Sequence, residues 1–310
     1  MVATKEALDK FLDAIELDGI QITNFPCFAF LCGGDRSNAD FIRSKVFEYA
    51  KKYNPEVYKK IKVAEDFISW TDYEFYRNLS DLESDLAHIV SYVPIILESP
   101  GSIAELGSFV SNPIIFEKTQ IYIEHEHYKK DSYIYLGPVK KLEDKMKERV
   151  MPYSKGATGE LVRIIVENIE ENTKPLHQKE KLRKTDTSHH FLLICELVNI
   201  LSVARVSEIK YLLDKINIRH IISSIEKPLS EEIIKKYLKL CEKMGLLRTE
   251  SLKDIFYIAN NTNDRFAVFS FKKHTTKSDR DIIRWKSIIR KHIAQQDRYR
   301  KVFLEPRGAA

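Results

Sequence analysis

ESPGSIAELGSF (residues 98–109) follows directly on VSYVPIIL (90–97), and the reading of that junction decides how the first half of the chain folds. The run 90–97 is short, β-branched and almost free of polar residues, the pattern of a strand buried on both faces of a parallel sheet. Pro100 and Gly101 then signal a turn, and Ile103, Leu106 and Phe109 fall at helical spacing. Ser102 is the expected N-cap, which places Glu105 at N3 of the new helix. From there a glutamate can reach back as a capping box, or it can face the crevice beyond the strand ends, where α/β sheets bind ligands. The sequence leaves both jobs open.

The same alternation extends in both directions. PCFAFLCGG (26–34) predicts a strand running into a glycine pair, and DRSNADFIRSKVFEYAKKY (35–53) an amphipathic helix. YKKIKVAED (58–66) predicts a strand ending in Glu65 and Asp66, and LSDLESDLAHIV (79–90) a helix capped by Ser80. TQIYIEHEH (119–127) predicts a further strand and turn, and PVKKLEDKMKER (138–149) a helix entered through Gly137-Pro138. Strand and helix alternating at this spacing predict an α/β fold with a doubly wound parallel sheet.

Around MPYSKGATGE (151–160) the pattern breaks, and the expected domains are 1–155 and 156–310. KPLHQKEKLRKTD (174–186) predicts an exposed charged linker. Helices follow at 189–201, 206–216 and 229–247, then two strands over 254–271 about an Asn-Asn-Thr-Asn-Asp turn, then a last helix over 278–301 with Ile282, Ile283, Trp285, Ile288 and Ile289 inward. Helices leading through EKMGLL to a hairpin are the order of a winged helix-turn-helix, so the second domain is expected to be mostly helical and of that type.

Charge divides along the same line. Residues 1–150 hold 19 Lys and Arg against 25 Asp and Glu, a net −6, whereas the remaining 31 and 20 give residues 151–310 a net +11. An acidic first half and a basic second half suggest a catalytic or sensing part joined to one that meets polyanions. Lys235, Lys239 and Lys243 align at four-residue spacing on the helix before Met244-Gly245, a stripe suited to phosphates. The four cysteines form no CxxC pair, which fits a reducing, cytoplasmic setting better than a disulfide framework. No apolar stretch approaches the ~18 residues of a membrane span, and MVATKEALDKFLDAIELDG predicts an acidic amphipathic helix rather than a signal peptide.

Ligands of a doubly wound sheet sit beyond the carboxyl ends of its strands. Three such ends carry Gly33-Gly34-Asp35, Glu65-Asp66 and Glu98-Ser99-Pro100-Gly101-Ser102. The glycine pair lets backbone approach a ligand, with N–H groups ahead of a helix start. Several carboxylates without a metal-ligand set suit ribosyl transfer, in which a glutamate faces an oxocarbenium-like carbon and other acids hold hydroxyls or base. His125 and His127 share a strand face with no third candidate ligand, so neither metal nor cofactor is expected.

Taken together, FLCGGD (30–35), AED (64–66), ESPGSIAELGSF (98–109) and YLGPVKKL (135–142) resemble the effector proteins of bacterial retron anti-phage systems. Those effectors join a nucleoside 2-deoxyribosyltransferase-like domain to a winged-helix part. The resemblance implies Glu105 as the catalytic residue, Gly101 and Ser102 beneath sugar or phosphate, and Gly33, Gly34, Asp35, Asp66 and Glu98 as pocket residues. The transferase pattern has an aspartate ahead of the turn where this chain has Glu98-Ser99-Pro100. The implied activity is therefore an N-glycosidase toxin acting on NAD or a related nucleotide. Its implied partners are a reverse transcriptase with its branched RNA–DNA product (msDNA), which hold it inactive, and a homo-oligomer is compatible with that assembly. In a different class, the same features would serve a non-catalytic nucleotide sensor fused to a DNA-binding winged helix.

Overall fold

A computed structural model of the chain describes residues 2–23, 26–68, 76, 78–175, 179–222, 224–263 and 265–304. It divides into two compact units: Phe25–Pro175, and Met1–Asn24 together with Leu176–Ala310. The second opens with helix α1 (Val2–Ala14) and strand β1 (Gln21–Thr23).

The Phe25–Pro175 unit is a parallel α/β structure. Its elements are β2 (Ala29–Phe30), α2 (Ile42–Tyr53), α3 (Pro55–Lys60), β3 (Ile61–Lys62), α4 (Glu65–Ile68), α5 (Leu79–Ile89), β4 (Val93–Ile96), α6 (Pro100–Ser111), α7 (Pro113–Phe116), β5 (Thr119–Glu124), α8 (Lys140–Glu143), β6 (Val150–Tyr153) and α9 (Thr158–Asn172). β2 pairs in parallel with β3, and β4 with β5 and β5 with β6. Parallel bridges Ala29↔Tyr92 and Cys32↔Ile95 join the two groups, giving the order β3-β2-β4-β5-β6. All four residues of β4 are buried, as an unbroken apolar run requires. Ala29, Leu31, Ile61, Val63, Tyr92 and Ile96 share one core with α2 and with Leu161, Val162, Ile165, Val166 and Ile169 of α9. The alternate side chain Phe30 meets Phe109 of α6, ring centroids 6.0 Å apart, on the opposite side.

Several local expectations change. The helix expected over 138–149 is a π-turn at Tyr135–Val139 with Pro138 inside it, followed by the single turn of α8. Pro138 lacks the N–H that a regular helix needs, and the wider turn absorbs it. MPY, expected to end the first domain, lies in β6; its Pro152 is tolerated because β6 is an edge strand. α9 then belongs with the sheet, so the compact unit runs on to 175 rather than to the expected 155. Asn78, not Ser80, caps α5, its Oδ1 accepting from the N–H of Asp81 at 2.8 Å.

The other unit is built around α10 (Thr187–Leu201), in which every residue from Ser188 to Leu201 is buried. A helix apolar on all sides must be enclosed. Before it lies β7 (Lys179–Lys181), paired antiparallel with β1, where the sequence predicts an exposed linker. After it come α11 (Val206–Ile216), the hairpin of β8 (Arg219–Ile222) and β9 (Ile225–Pro228), α12 (Glu231–Lys243), β10 (Leu247–Ser251), β11 (Ile255–Ala259), β12 (Ala267–Val268), α13 (Ile282–Gln296) and α14 (Arg298–Leu304). The expected hairpin about 260–264 is instead β10–β11, turning at 252–254, while β12 pairs with β1. The final helix breaks at Asp297, and Ile283 faces solvent while Trp285, Ile289 and Ile293 are buried. Fully buried Arg300 on α14 makes bonds of 2.7 and 2.6 Å to the two carboxylate oxygens of Glu208 on α11. No described helix is long and apolar enough to cross a membrane.

Candidate active site

Helix α6 starts earlier than the sequence predicts. Ser99 is its N-cap, accepting from the N–H of Ser102 at 3.2 Å, while the Ser102 hydroxyl accepts from the N–H of Ser99 at 3.2 Å. Ser102, fully buried, therefore completes the capping box that Glu105 was positioned to make. Glu105 lies nearly one turn further on and faces a cavity of about 530 Å³. Phe30 and Phe109 line that cavity with Gly33, Asp35 and Gly101, and charge enters it from Arg43 on α2, Glu65 on α4, Glu83 on α5 and Glu105 on α6.

The charged groups hold one another in a defined order. The buried Arg43 guanidinium donates through Nη1 to the carbonyl of Gly34 at 2.9 Å and forms an ion pair through Nη2 with Glu65. Glu105 lies close to Glu83, which lines the same cavity, and to buried Cys32 after β2, whose thiol donates to the carbonyl of Phe30 at 3.9 Å. Its Oε2 and the Nε of Arg43 are buried without hydrogen-bond partners among the described residues. Burial raises the Glu105 carboxyl above its ordinary range, against the lowering effects of the neighbouring Arg43, Cys32 and Glu83. Glu83 is pushed up to about 8, first by burial and then by the neighbouring Glu105 charge. Burial and the charge of Glu105 likewise raise the Cys32 thiol, which remains a neutral donor.

Of the residues singled out in the sequence, Gly33, Asp35, Gly101 and Glu105 meet at this cavity. Glu98 has a different occupation. Its Oε1 accepts from the N–H groups of Gly34 and Arg43, each at 3.0 Å, and its Oε2 from Ile42 at 2.6 Å. The anion site expected from the glycine pair and the helix start is thus filled by an internal carboxylate. The glycines also serve packing. A Cβ on Gly33 would lie 2.9 Å from Cβ of Arg43, and one on Gly34 2.3 Å from the Phe41 ring. Asp66 is half-exposed and paired with Arg36 at 2.8 Å.

Arg43 and Glu83 are the site residues the sequence reading missed. Each carries a charge beside an apolar stripe: Arg43 lies three and four residues before Val46 and Phe47, and Glu83 three before Leu86. That placement was the available signal.

A second cavity, of about 690 Å³, lies beside Glu98, Ile103, Tyr153 and the ends of β5 and β6. His127 is grouped there with Glu124 and Glu126, donor atoms within 4.8 Å of one another, rather than with His125. The ammonium of Lys155 is 3.1 Å from Glu124 and 3.4 Å from Glu126. In the other unit Lys235 and Lys243 are exposed on α12, and half-buried Lys239 pairs with Glu242 at 2.7 Å.

Residues 39–249 match the family model described as STM3845 retron effector protein. Two Escherichia coli proteins are similar. One, named "Retron Ec73 putative ribosyltransferase/DNA-binding protein", is 24% identical over 190 residues, covering 54% of this chain and 58% of its own. The other, named "Retron Ec86 putative ribosyltransferase/DNA-binding protein", is 29% identical over 120 residues, 38% of each chain. The matched segments span about half the length of these relatives.

Proposed function

Since the chain belongs to the STM3845 retron effector family, we propose that it is a defence effector that breaks an N-glycosidic bond, with Glu105 as the carboxylate facing the anomeric carbon. The names of its relatives point to the same glycosyl chemistry. The observation that carries the reading is that Glu105 is free of any capping duty and presents a buried oxygen, unpartnered among the described residues, beside a cavity of nucleoside size. A desolvated carboxylate stabilises a developing oxocarbenium centre far better than a hydrated one. In this reading the Phe25–Pro175 unit is a doubly wound deoxyribosyltransferase-like domain, and Gly33, Asp35 and Gly101 line the substrate. Gly34, Asp66, Glu98 and Ser102 support that pocket from behind or at its rim. NAD is the first substrate to test, by following nicotinamide release from NAD and base release from nucleosides.

The basic unit is read as a winged helix. Ala204, between α10 and α11, bridges antiparallel to Tyr257 of β11, as the short first strand of such a fold does beside its wing. α12 then presents Lys235, Lys239 and Lys243 to phosphates, and the natural ligand is msDNA held with the reverse transcriptase, which keeps the effector inactive in a cytoplasmic complex. Changing the three lysines to Glu should weaken msDNA binding broadly and flatten its salt dependence. Unchanged binding and salt slope remove the assignment. The same bridge favours a second reading, a nucleotide sensor fused to a DNA-binding winged helix, which requires nucleotide binding without turnover and one specific duplex site.

A further inference from the structure

The cavity of about 690 Å³ beyond β4, β5 and β6 shares no lining residue with the one that holds Glu105. Gly33 lines the first, Glu98 and Ser99 the second, and bonds between these turns form a wall. The N–H of Gly34 donates to Oε1 of Glu98 at 3.0 Å, and the Ser99 hydroxyl donates to the carbonyl of Gly33 at 3.2 Å. The second cavity has an apolar floor, with buried Leu97 and Ile123 flanked by Ile103 and Ile134.

Two polar groups converge above that floor. Glu124 of β5 and Tyr153 of β6 are register partners on adjacent parallel strands, so their side chains stand side by side on one face of the sheet. Tyr153 is only 7% exposed, and its hydroxyl has no hydrogen-bond partner among the described residues. Burial, then the charges of Glu98 and Glu124, raise that hydroxyl above its ordinary range, so it stays a donor at neutral pH. The Glu124 side chain is 14% exposed, with Oε1 3.1 Å from the ammonium of Lys155. An ionised carboxylate can accept further hydrogen bonds beside such a pair. Exposed Lys45 and Lys155 line the same cavity.

We propose that this second cavity binds an adenine nucleotide. The base lies on Leu97 and Ile123, a ring nitrogen accepts from the Tyr153 hydroxyl, the adjacent amino group donates to Glu124, and the phosphate meets Lys45 and Lys155. An apolar floor with a few convergent polar groups is the usual make-up of such a pocket. Guanine would engage both Glu124 oxygens, of which Oε1 is already paired with Lys155, and cytosine covers less of the floor. The proposal goes beyond the N-glycosidase reading and does not depend on it, because binding is measured directly. Two molecules carry the required group: a free adenine nucleotide, and a dinucleotide such as NAD through its adenosine end.

The test is calorimetric titration of adenosine monophosphate (AMP) and inosine monophosphate (IMP) into the full chain, for the wild type, Tyr153→Phe, Glu124→Gln and Glu105→Gln. Tyr153→Phe removes no internal hydrogen bond, so it should melt as the wild type does. AMP should bind the wild type at least about tenfold more tightly than IMP, which turns a carbonyl oxygen toward Glu124. Tyr153→Phe should weaken AMP about tenfold, the loss of one hydrogen bond. Glu124→Gln should narrow the difference between AMP and IMP, because an amide can also donate to the carbonyl. Glu105→Gln should bind AMP unchanged. Displacement of AMP from Glu105→Gln by NAD assigns the site to the dinucleotide's adenosine end, and AMP retained beside saturating NAD assigns it to the free nucleotide. No AMP binding, equal binding of IMP, or AMP binding lost in Glu105→Gln but kept in Tyr153→Phe and Glu124→Gln overturns the proposal. A chain that binds AMP as expected yet cleaves no N-glycoside removes the N-glycosidase reading alone.

Discussion

The carboxylates above β2 and β3 and those above β5 and β6 differ less in residue type than in what faces them. At the first cluster Glu65 pairs with Arg43, whose side chain is 7% exposed, and among the described residues no other cation lines the cavity that Glu65, Glu83 and Glu105 share. At the second, Glu124 and Glu126 meet Lys155, whose side chain is 73% exposed and so remains hydrated. Desolvation raises Glu83 and Glu105, whereas exposed Lys155 is raised by its hydrogen bonds and charge contacts with Glu124 and Glu126 and is only opposed by burial. Strand-end position alone, which the two clusters share, is therefore weak evidence for chemistry. A shortage of counter-charge under low hydration is stronger evidence.

Removing the cation at each cluster should separate them most sharply. Arg43→Met leaves Glu65 without its buried partner and should cost about 2–3 kcal/mol in urea denaturation, below the usual buried-pair loss because Glu65 is partly exposed. Lys155→Met should change stability by less than about 0.5 kcal/mol, as exposed pairs do. Equal effects would erase the distinction between the clusters.

The glycines sharpen the same comparison. Gly34→Ala drives a Cβ into the Phe41 ring and should cost about 1–3 kcal/mol. Gly101→Ala meets only Ser99 Oγ, at 3.7 Å, and should leave the melting temperature close to that of the wild type. Ordering the two effects the other way would place the backbone constraint at the wrong turn.

A smaller effect is expected from pH. The folded state holds a proton on Glu83 that the unfolded state releases near pH 4.5, so this group's contribution to stability is greatest below that pH. It should decline as pH rises toward about 8, seen as a falling melting temperature that Glu83→Gln flattens. An unchanged pH slope in the variant would show that Glu83 titrates normally.

Much of this arrangement was legible in the chain. The apolar run 90–97 and the turn after it fixed a buried parallel strand followed by a helix, and they placed Glu105 near the strand ends. The detail of the cap was not legible, because Ser99 and Ser102 are equally good caps and only the helix start distinguishes them. The same local ambiguity misplaced the hairpin: Asn-Asn-Thr-Asn-Asp is a stronger turn signal than Leu-Lys-Asp, yet the ladder from Leu247↔Ala259 to Ser251↔Ile255 uses the latter. Arg43 and Glu83 stayed hidden because a charge beside an apolar stripe looks like the edge of a solvated face until the opposing helix is known. No local pattern reveals that β1 pairs with residues 179–181 and 267–268.

Glu98 and Glu105, seven residues apart in one strand–turn–helix, provide the most direct test. Glu98 accepts from three backbone N–H groups, two at the start of α2 and one at Gly34, whereas Glu105 keeps a buried oxygen that is unpartnered among the described residues. The measurement is base release by Glu105→Gln and Glu98→Gln against the wild type, normalised to folded protein. Glu105→Gln should stay folded, because a carboxyl held above its ordinary range gives no stability at neutral pH, and it should lose about a thousandfold or more in rate. Glu98→Gln should lose stability while its folded fraction still turns over. Turnover retained by Glu105→Gln and abolished in folded Glu98→Gln would contradict the assignment of Glu105 as the catalytic carboxylate.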